Sequence, residues 1–573
     1  MRATCASTGS TRAPRRSSAP SSPGPWQCSQ PGKRKEHPMN PLWFVLALLA
    51  YFGVLIALSF YRRRADSGTD YFLGGRTMPA WMLAMAFAAS WYGGNSALIS
   101  IDAANEQGMG SWWVLGGPTV IAVVALIFIG PIIRRIGVLS QDGVMNMRYG
   151  RLTGTLLSLV MGIYMVVWGA SQMVALGKFF AAFFGINFVL AVLIGIVVAI
   201  FYATIGGFRA VVLTETIQFG LLLLGLLITL VGALILSGGF EPVMERATTE
   251  RPDDYFNLFA GFTPNIAFVV SFALAFLIEG AAWQRMQAGR TPRDARKTAS
   301  YALSYFIPLY FLVVAAGIAS IGVFPTVPEN GVVATLAGER FWPIFGVLVF
   351  IGIAAAIMST ICTTLNLSSL YMTELYTKIK RNRVSDKQKV RVGMIGTLIA
   401  SVLGFLIAIR LPEALILLGL ASEILAAGMF FPMILGLFWR RANQKGAVAG
   451  IIAGSGFTIY GFLVELGLPL PYFWPNDGPT RIFIGLGLSL IFYVAVSLMT
   501  KPDPERSDRF MHQSRKGTDE SAEQIVRDHD AADDAAYEAR NGRNGTGTGV
   551  TGTSGPGASA AGTTASGTDP GRD

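Results

Sequence analysis

The chain has 573 residues, of which 52% are apolar and only 14% charged, and its mean hydropathy is +0.49. This composition excludes a soluble globular protein of such length and predicts an all-α integral membrane protein. The net charge of +11 would favour nucleic-acid binding in a soluble protein, but here Lys and Arg stand in loops beside apolar segments, where they set membrane orientation. Three cysteines and three histidines are too few for a disulfide framework or a zinc site, so neither a nucleic-acid partner nor a metal cofactor is expected.

Hydropathy predicts about 13 membrane-spanning helices. In chain order, these spans cover about 41–61, 80–104, 112–133, 153–181, 186–205, 213–237, 263–283, 299–323, 339–376, 390–410, 412–438, 446–467 and 480–500. The odd number places the two termini on opposite sides of the membrane. Because basic residues follow the odd-numbered spans and the 238–262 loop is acidic, we expect the N-terminus outside and the C-terminus in the cytoplasm.

The two ends of the chain differ from the apolar middle. Residues 1–38 are basic and have no apolar core, so they do not form a signal peptide, and their charge would have to cross the membrane ahead of span 1. We therefore predict that translation starts at Met39, or that residues 1–38 are a basic, disordered and dispensable arm. Residues 39–500 form the transmembrane domain. The segment 501–573 is charged and then rich in Gly, Ser, Thr and Ala, which predicts a disordered cytoplasmic tail.

Predicted span 2 changes character in its middle. An apolar run leads into the sequence AASWYGGNSALISID (Ala88–Asp102), which is rich in glycine and polar side chains. A helix that breaks at membrane depth leaves carbonyl groups without partners, and secondary transporters use such groups to bind ions and solutes. The break therefore predicts solute transport. Since the sequence has no GxxxxGK[ST] phosphate loop, uphill transport would draw on an ion gradient.

Five motifs occur in a fixed order along the chain. They are DYFLGGR (Asp70–Arg76), EQGMGSWW (Glu106–Trp113), GGFRAVVLTETIQ (Gly206–Gln218), QRMQAGRTPRDARK (Gln284–Lys297), and AAAIMST (Ala354–Thr360) with MTELY (Met372–Tyr376). With these motifs the chain resembles the sodium:solute symporter family, which includes bacterial proline and pantothenate carriers and the sodium/glucose cotransporters. The resemblance extends over about 41–500.

The resemblance implies a fold, a reaction and a location. The expected fold is the leucine-transporter type with two inverted five-helix repeats, formed by spans 2–6 (about 80–237) and spans 7–11 (about 263–438), with spans 1, 12 and 13 at the periphery. The expected function is sodium-coupled import of a small organic solute by alternating access in the plasma (inner) membrane. The expected partners are the solute, sodium and the bilayer. The protein would not be an enzyme and would need no cofactor besides the coupling sodium ion.

The resemblance also implies a sodium site between span 2 and span 9. By position, its ligands would be the carbonyl oxygens of Ala89, Tyr92 and Ala356 and the hydroxyl oxygens of Ser359 and Thr360. Such an all-oxygen set suits a hard cation. The alternative is that Ser359 and Thr360 bond back to carbonyls of their own helix or join helices together, as hydroxyls in membrane helices often do.

Further polar residues are candidates for the solute cavity or for coupling. Trp91 stands where relatives with a proline-type site have an acid, which suggests a different contact with the solute. Gly94 and Asn95 follow in the same break of span 2. Gln172 shares a helix face with aromatic residues of span 4. Glu279 in span 7 is expected to line a cavity. The alternative is that Glu279 lies near the inner mouth of the transport path and pairs with a loop arginine such as Arg285.

Glu215, in LTETIQ, is a candidate for a second cation site or for coupling; the alternative is an acid in the first turn of span 6, favoured by the helix dipole. Two other functions also remain open. A proton-coupled carrier would use Glu279 or Glu215 instead of sodium, and a transporter-like sensor would bind solute and signal through the tail. Amino acids, carboxylates, sugars, vitamins and polyols all fit this scaffold, so the sequence does not select a substrate.

Overall fold

The structure is a computed structural model that describes residues 41–61, 73–138, 140–203, 208–380, 384–471, 474–517 and 531. All regular secondary structure in these ranges is helical, which confirms the all-α class. The predictions for residues 1–38, and those for the tail beyond residue 517 apart from residue 531, fall outside the described residues.

The structure describes nineteen α-helices within these ranges. In chain order they are α1 (Pro41–Tyr61), α2 (Ala80–Trp91), α3 (Gly94–Gln107), α4 (Trp112–Ile136), α5 (Gln141–Tyr149), α6 (Arg151–Phe184), α7 (Phe188–Ala203), α8 (Phe208–Leu236), α9 (Phe240–Glu250), α10 (Ile266–Leu277), α11 (Gly280–Gln287), α12 (Pro292–Ser320), α13 (Val332–Thr335), α14 (Pro343–Ile379), α15 (Asp386–Arg410), α16 (Ala414–Ile434), α17 (Gln444–Glu465), α18 (Gly478–Met499) and α19 (Pro504–Lys516).

Ten helical stretches of the described chain are long and apolar enough to cross a membrane. Shorter apolar helices cover Pro41–Leu55, Ala80–Trp91 and Phe188–Val197, which correspond to span 1, the first half of span 2 and span 5. Every predicted span therefore coincides with an apolar helix, although the total of 13 remains a prediction.

Two of the spans are interrupted. Span 2 consists of α2 and α3, separated at Tyr92 and Gly93, and span 7 consists of α10 and α11, separated at Ile278 and Glu279. The first interruption was predicted and the second was not. In span 7 the sequence signal was a single acid–glycine pair within an apolar run, which is weaker than the cluster of polar and glycine residues in span 2.

Helix α14 lies at the centre of the helical assembly. It packs against α6 and α8 along much of its length and also contacts both halves of span 2 and the second half of span 7. Its buried face is formed largely by small and aliphatic residues, among them Ala354, Ala355 and Ala356. Small side chains let helices approach closely in a membrane protein, so α14 can reach both interrupted spans.

The start of the tail is not disordered as predicted. Helix α19 forms over Pro504–Lys516, with Asp503 as its N-cap and Pro504 in the first turn. Phe510 and Met511 are buried against α4 and α5. The charged composition of this segment hid a short apolar face. The helix is stable because α4 and α5 cover that face.

Candidate functional site

The interruption of span 2 leaves buried backbone oxygens open. The Tyr92 N–H donates to the carbonyl of Ala88 at 2.9 Å, and the ladder resumes where the Ala97 N–H donates to Gly93. Between these bonds, the carbonyl oxygens of Ala89 and Tyr92 accept no hydrogen bond from the described part of the chain, and both residues are fully buried. Unpaired buried carbonyls are costly, so this segment is suited to a ligand that supplies positive charge or donors.

The glycines of this interruption allow helices α14 and α6 to come close. A Cβ atom at Gly93 would lie 2.6 Å from Thr360 Oγ1 on α14 and 2.8 Å from Gln172 Oε1 on α6. A Cβ atom at Gly94 would lie 2.7 Å from the carbonyl oxygen of Ile353, also on α14. Only glycine fits at these two positions, and the break in span 2 therefore meets α14 at the height of Thr360.

The two hydroxyls of α14 at this meeting point differ in their bonding. Thr360 Oγ1 donates to the carbonyl of Ala356 at 3.1 Å. This is the bond back to its own helix that a purely structural hydroxyl would make. Ser359 is 2% exposed, and its hydroxyl finds no partner among the described residues. A buried hydroxyl without a partner is unfavourable, so Ser359 lacks the purely structural explanation that accounts for Thr360.

A polar face of α6 adjoins the same interruption. The Asn95 side-chain amide donates to Ser171 Oγ at 2.5 Å, and Ser171 Oγ donates to the carbonyl of Ala414 at 2.8 Å. The remaining amide oxygens, Asn95 Oδ1 and Gln172 Oε1, are buried and have no hydrogen-bond partner within the described ranges. The structure thus brings Gly94, Asn95 and Gln172 together beside the carbonyls of span 2.

Trp91 lies in an aromatic cluster that joins the two interrupted spans. Its ring centroid is 4.2 Å from that of Phe276 in α10 and 5.1 Å from that of Phe87 in α2. Its indole N–H donates to Thr119 Oγ1 at 3.4 Å, and Thr119 in turn bonds Tyr310 at 2.8 Å. The indole is therefore buried and held by contacts from α2, α10 and Thr119.

The interruption of span 7 is closed by the protein itself. Both carboxylate oxygens of Glu279 accept backbone N–H groups at the start of α11, from Ala281 and Ala282, each at 2.8 Å. The carbonyl of Ile278 accepts the side-chain amide of Gln141 at 2.7 Å. The carbonyl of Leu277 accepts the indole N–H of Trp283 at 2.9 Å. Unlike span 2, span 7 therefore presents satisfied backbone groups at its break.

Glu279 accordingly acts as the N-cap of α11, where the helix dipole favours its negative charge. It is fully buried, and it does not pair with Arg285 as the inner-mouth alternative supposed. The sequence showed that Glu279 lies within an apolar stretch, but it could not show that the two carboxylate oxygens hold a helix end.

Arg285 instead pairs with Glu215. Its Nη2 atom donates to Oε1 and Oε2 of Glu215 at 2.9 and 2.7 Å, and Thr363 on α14 donates to Oε1 at 3.0 Å. Both charged side chains are 2% exposed. Because α8 begins at Phe208, Glu215 lies beyond the first turn, and the dipole explanation proposed for it from sequence is wrong. The guanidinium of Arg285 therefore already neutralises the carboxylate of Glu215.

Three residues of these networks escaped the sequence analysis as site candidates: Gln141, Tyr371 and Arg285. Gln141 stands outside the apolar spans, on the short helix α5, and Tyr371 looks like an ordinary aromatic residue of span 9. Arg285 was noticed only as a possible partner of Glu279. No sequence signal marked Gln141, because α5 is too polar to span a membrane and only the structure shows that it is buried throughout.

Comparison with known proteins identifies the family of this chain. The model of the sodium:solute symporter family matches residues 71–454. The sodium/pantothenate symporter of Escherichia coli (strain K12) is 30% identical over 461 residues, which cover 75% of this chain and 92% of that protein. The sodium/proline symporter of Staphylococcus aureus (strain Newman) is 25% identical over 483 residues, covering 80% of this chain and 93% of that protein.

A solved structure shows the same fold. The substrate-bound outward-open state of a Na⁺-coupled sialic acid symporter superposes with a TM-score of 0.66 at 20% identity, over 80% of this chain and 98% of that chain. The fold is the leucine-transporter type. Together with the family match, this fold defines the class of protein as a secondary active transporter. The chain belongs to the sodium:solute symporter family, and its function is sodium-coupled import of a solute.

Proposed function

We propose that sodium binds where the break in span 2 meets α14, held by the carbonyls of Ala89, Tyr92 and Ala356 and the hydroxyls of Ser359 and Thr360. The observation that carries the proposal is that unsatisfied oxygens occur on both elements that meet at this break. The carbonyls of Ala89 and Tyr92 accept no hydrogen bond from described residues, and Ser359 Oγ, on the helix that touches this break, has no described partner either.

Each buried polar group without a partner costs about 1–3 kcal/mol. A sodium ion would offset this cost for several oxygens at once, since it prefers uncharged or anionic oxygen ligands. Thr360 can contribute as well, because its back-bond to Ala356 uses the hydroxyl hydrogen and leaves oxygen lone pairs available. The contrast with span 7, where the protein satisfies the corresponding groups, supports span 2 as the ion-binding break.

The solute would bind beside the ion, against Gly94, Asn95, Gln172 and Trp91. Gln172 Oε1 and Thr360 Oγ1 both approach Gly93, so an ion at Thr360 and a solute at Gln172 would be neighbours. Such proximity gives a direct physical route for coupling, because each ligand orders groups that the other contacts. The solute is a small organic molecule; the relatives named above carry proline and pantothenate, and Trp91 gives this chain a different contact at one position.

Sodium is favoured over a proton as the coupling ion by the bonding of the two candidate carboxylates. Glu215 is engaged by Arg285 and Thr363, and Glu279 is engaged by the N-terminus of α11. A carboxylate that carries a proton would lose these charge-assisted bonds in each cycle. We place the protein in the plasma membrane with its N-terminus outside, its C-terminus in the cytoplasm, and α2, α11 and α19 on the cytoplasmic side.

Uptake into proteoliposomes with separately imposed sodium and proton gradients tests this proposal. A panel of labelled solutes that includes proline and pantothenate should show accumulation driven by an inward sodium gradient and none driven by a proton gradient alone. In parallel, NaCl should raise the melting temperature of the purified protein relative to KCl at equal ionic strength, since a ligand of the native state stabilises it. Accumulation driven by protons in sodium-free buffer would refute the proposal.

A further inference from the structure

We infer that Gln141 and Tyr371 are positioning residues that fasten the break of span 7 to α14 and thereby hold the cytoplasmic half-helix α11 closed. The inference rests on the proposed transport by alternating access, in which a half-helix must move. Neither residue contacts the ion or solute positions proposed above. Both act through the backbone of Ile278 and the start of α11.

A continuous chain of hydrogen bonds, called the Gln141 relay below, joins α14, α5 and the break of span 7. Tyr371 on α14 donates from its hydroxyl to Gln141 Oε1 at 2.6 Å, and Gln141 Nε2 donates to the carbonyl of Ile278 at 2.7 Å. Gln141 and Tyr371 are each 2% exposed. Without Gln141, both the Tyr371 hydroxyl and the Ile278 carbonyl would be buried without this partner, which makes the relay energetically sensitive.

The first residue of α11 is fitted to this relay. A Cβ atom at Gly280 would lie 2.6 Å from the Tyr371 hydroxyl oxygen and 3.5 Å from Gln141 Oε1. The absence of a side chain at Gly280 lets α14 and α5 approach the helix start directly. The N-terminus of α11 is thus held from two directions, by the Glu279 cap and by the Gln141 relay.

A second relay ties the body of α11 to the same helix. Arg285 on α11 donates to Glu215 on α8, and Glu215 accepts the hydroxyl of Thr363 on α14. Thr363 stands one turn after Ser359, the proposed sodium ligand. Both relays therefore end on the helix that would bind sodium, and α11 cannot leave α14 without breaking them.

The half-helix is shut in the structure. Trp283, Met286 and Ala288 at the end of span 7 are inaccessible to solvent. Ala288 belongs to a buried apolar cluster with Leu83 of α2 and Val212 of α8. An opening movement of α11 would expose Ala288 to the cytoplasm. We call the two relays together the latch. The accessibility of residue 288 therefore reports whether the latch is closed, and no transported solute is needed for the measurement.

The test measures the rate at which a maleimide reagent labels Ala288→Cys from the cytoplasmic side, in a background with Cys5→Ser, Cys28→Ser and Cys362→Ser. Gln141→Leu and Tyr371→Phe should each raise the labelling rate, by roughly tenfold for the loss of one buried hydrogen bond. The double variant should equal Gln141→Leu alone, because Tyr371 acts through Gln141.

A matched control exists in the same protein. Gln218 Nε2 donates to the Tyr51 hydroxyl at 2.6 Å, both residues are buried, and the bond joins α8 to α1 rather than to span 7. Gln218→Leu and Tyr51→Phe should leave labelling of Ala288→Cys unchanged. An equal increase in these controls, or no increase in Tyr371→Phe, would overturn the inference.

Failure of folding and failure of the proposed function are separable from this result. If Gln141→Leu does not fold, Tyr371→Phe decides, since it removes a single oxygen and keeps the ring. If the wild type shows no sodium-driven uptake while labelling responds as expected, the function proposal fails and the latch stands. Unchanged labelling with normal uptake refutes the latch alone.

Discussion

Arg285 and Glu215 form a buried ion pair in which one guanidinium nitrogen reaches both carboxylate oxygens, at 2.9 and 2.7 Å. The pair connects α11, the second half of an interrupted span, to α8, and Thr363 extends it to α14. A buried charge whose partner is removed is strongly unfavourable, whereas removal of both charges together is far less so.

We therefore expect Glu215→Gln to destabilise the protein by about 3–5 kcal/mol, because Arg285 would remain buried without a counter-charge. The double variant Glu215→Gln with Arg285→Met should recover most of this loss. Thermal unfolding of the detergent-purified variants measures both effects. A double variant as unstable as the single one would show that the pair is needed for more than mutual neutralisation.

Ser359→Ala should weaken sodium binding with little effect on folding, since Ser359 Oγ has no partner to lose among the described residues. A loss of about 1–2 kcal/mol would raise the sodium concentration for half-maximal stabilisation roughly 5- to 30-fold. Thr360→Ala should act in the same direction. The sodium dependence of the melting temperature gives the measurement.

Ser368→Ala is the matched control for Ser359→Ala. Ser368 is buried on the same helix, and its hydroxyl donates to the carbonyl of Thr364 at 2.7 Å, away from the break in span 2. Its removal should leave the sodium dependence unchanged. If the variants Ser359→Ala and Thr360→Ala combined bind sodium like the wild type, the cation lies elsewhere and both hydroxyls are structural.

Gly93→Ala should impair sodium and solute binding together, because its Cβ would come within 2.6 Å of Thr360 Oγ1 and 2.8 Å of Gln172 Oε1. Sodium-induced stabilisation and uptake should both fall. Gly162→Ala on α6 is the control, as nothing lies within 4 Å of its Cβ position. There, alanine in a helix interior should be neutral or stabilising by about 0.5–1 kcal/mol. Normal sodium binding by Gly93→Ala would contradict the close approach.

Truncation of the tail at two positions should distinguish the contribution of α19 from that of the residues beyond it. Removing residues 518–573 should leave the melting temperature unchanged, since α19 ends at Lys516. Removing residues 503–573 should lower it, because the carbonyls of Arg135 and Ile136 lose the Gln513 amide and buried Phe510 is lost. Equal melting temperatures for the two truncations would show that α19 contributes nothing to stability.

Deletion of residues 1–38 should leave expression, membrane insertion and sodium-driven uptake unchanged. The prediction comes from the basic character of this segment ahead of an N-out span and from the start-like sequence at Met39. The full-length protein, expressed in parallel, is the comparison. Loss of insertion in the shortened protein would assign the segment a role in targeting or folding.

Much of the architecture was accessible from the residues alone because a bilayer imposes simple rules. Apolar runs of sufficient length become helices, since hydrocarbon leaves backbone groups no other way to be satisfied within a segment. The break at Tyr92 and Gly93 was predictable for the same reason, because glycine and polar residues gathered where apolar ones were needed. The break at Glu279 was missed because one acid and one glycine do not outweigh the surrounding hydrophobicity.

The amino-acid sequence by itself determined the helical membrane class, the symporter family and the position of the first interrupted span, all of which depend on local composition and motif order. Only the tertiary structure decided how the polar residues are used. Glu279 and Glu215 are both acids within apolar spans, yet one caps α11 and the other pairs with Arg285, a residue distant in sequence. Gln141 reaches Ile278 only because tertiary packing brings α5 to the break of span 7. Partners that meet through long-range packing leave no periodic or local signal in the chain, and the choice between a free ligand group and a satisfied structural one depends on those partners.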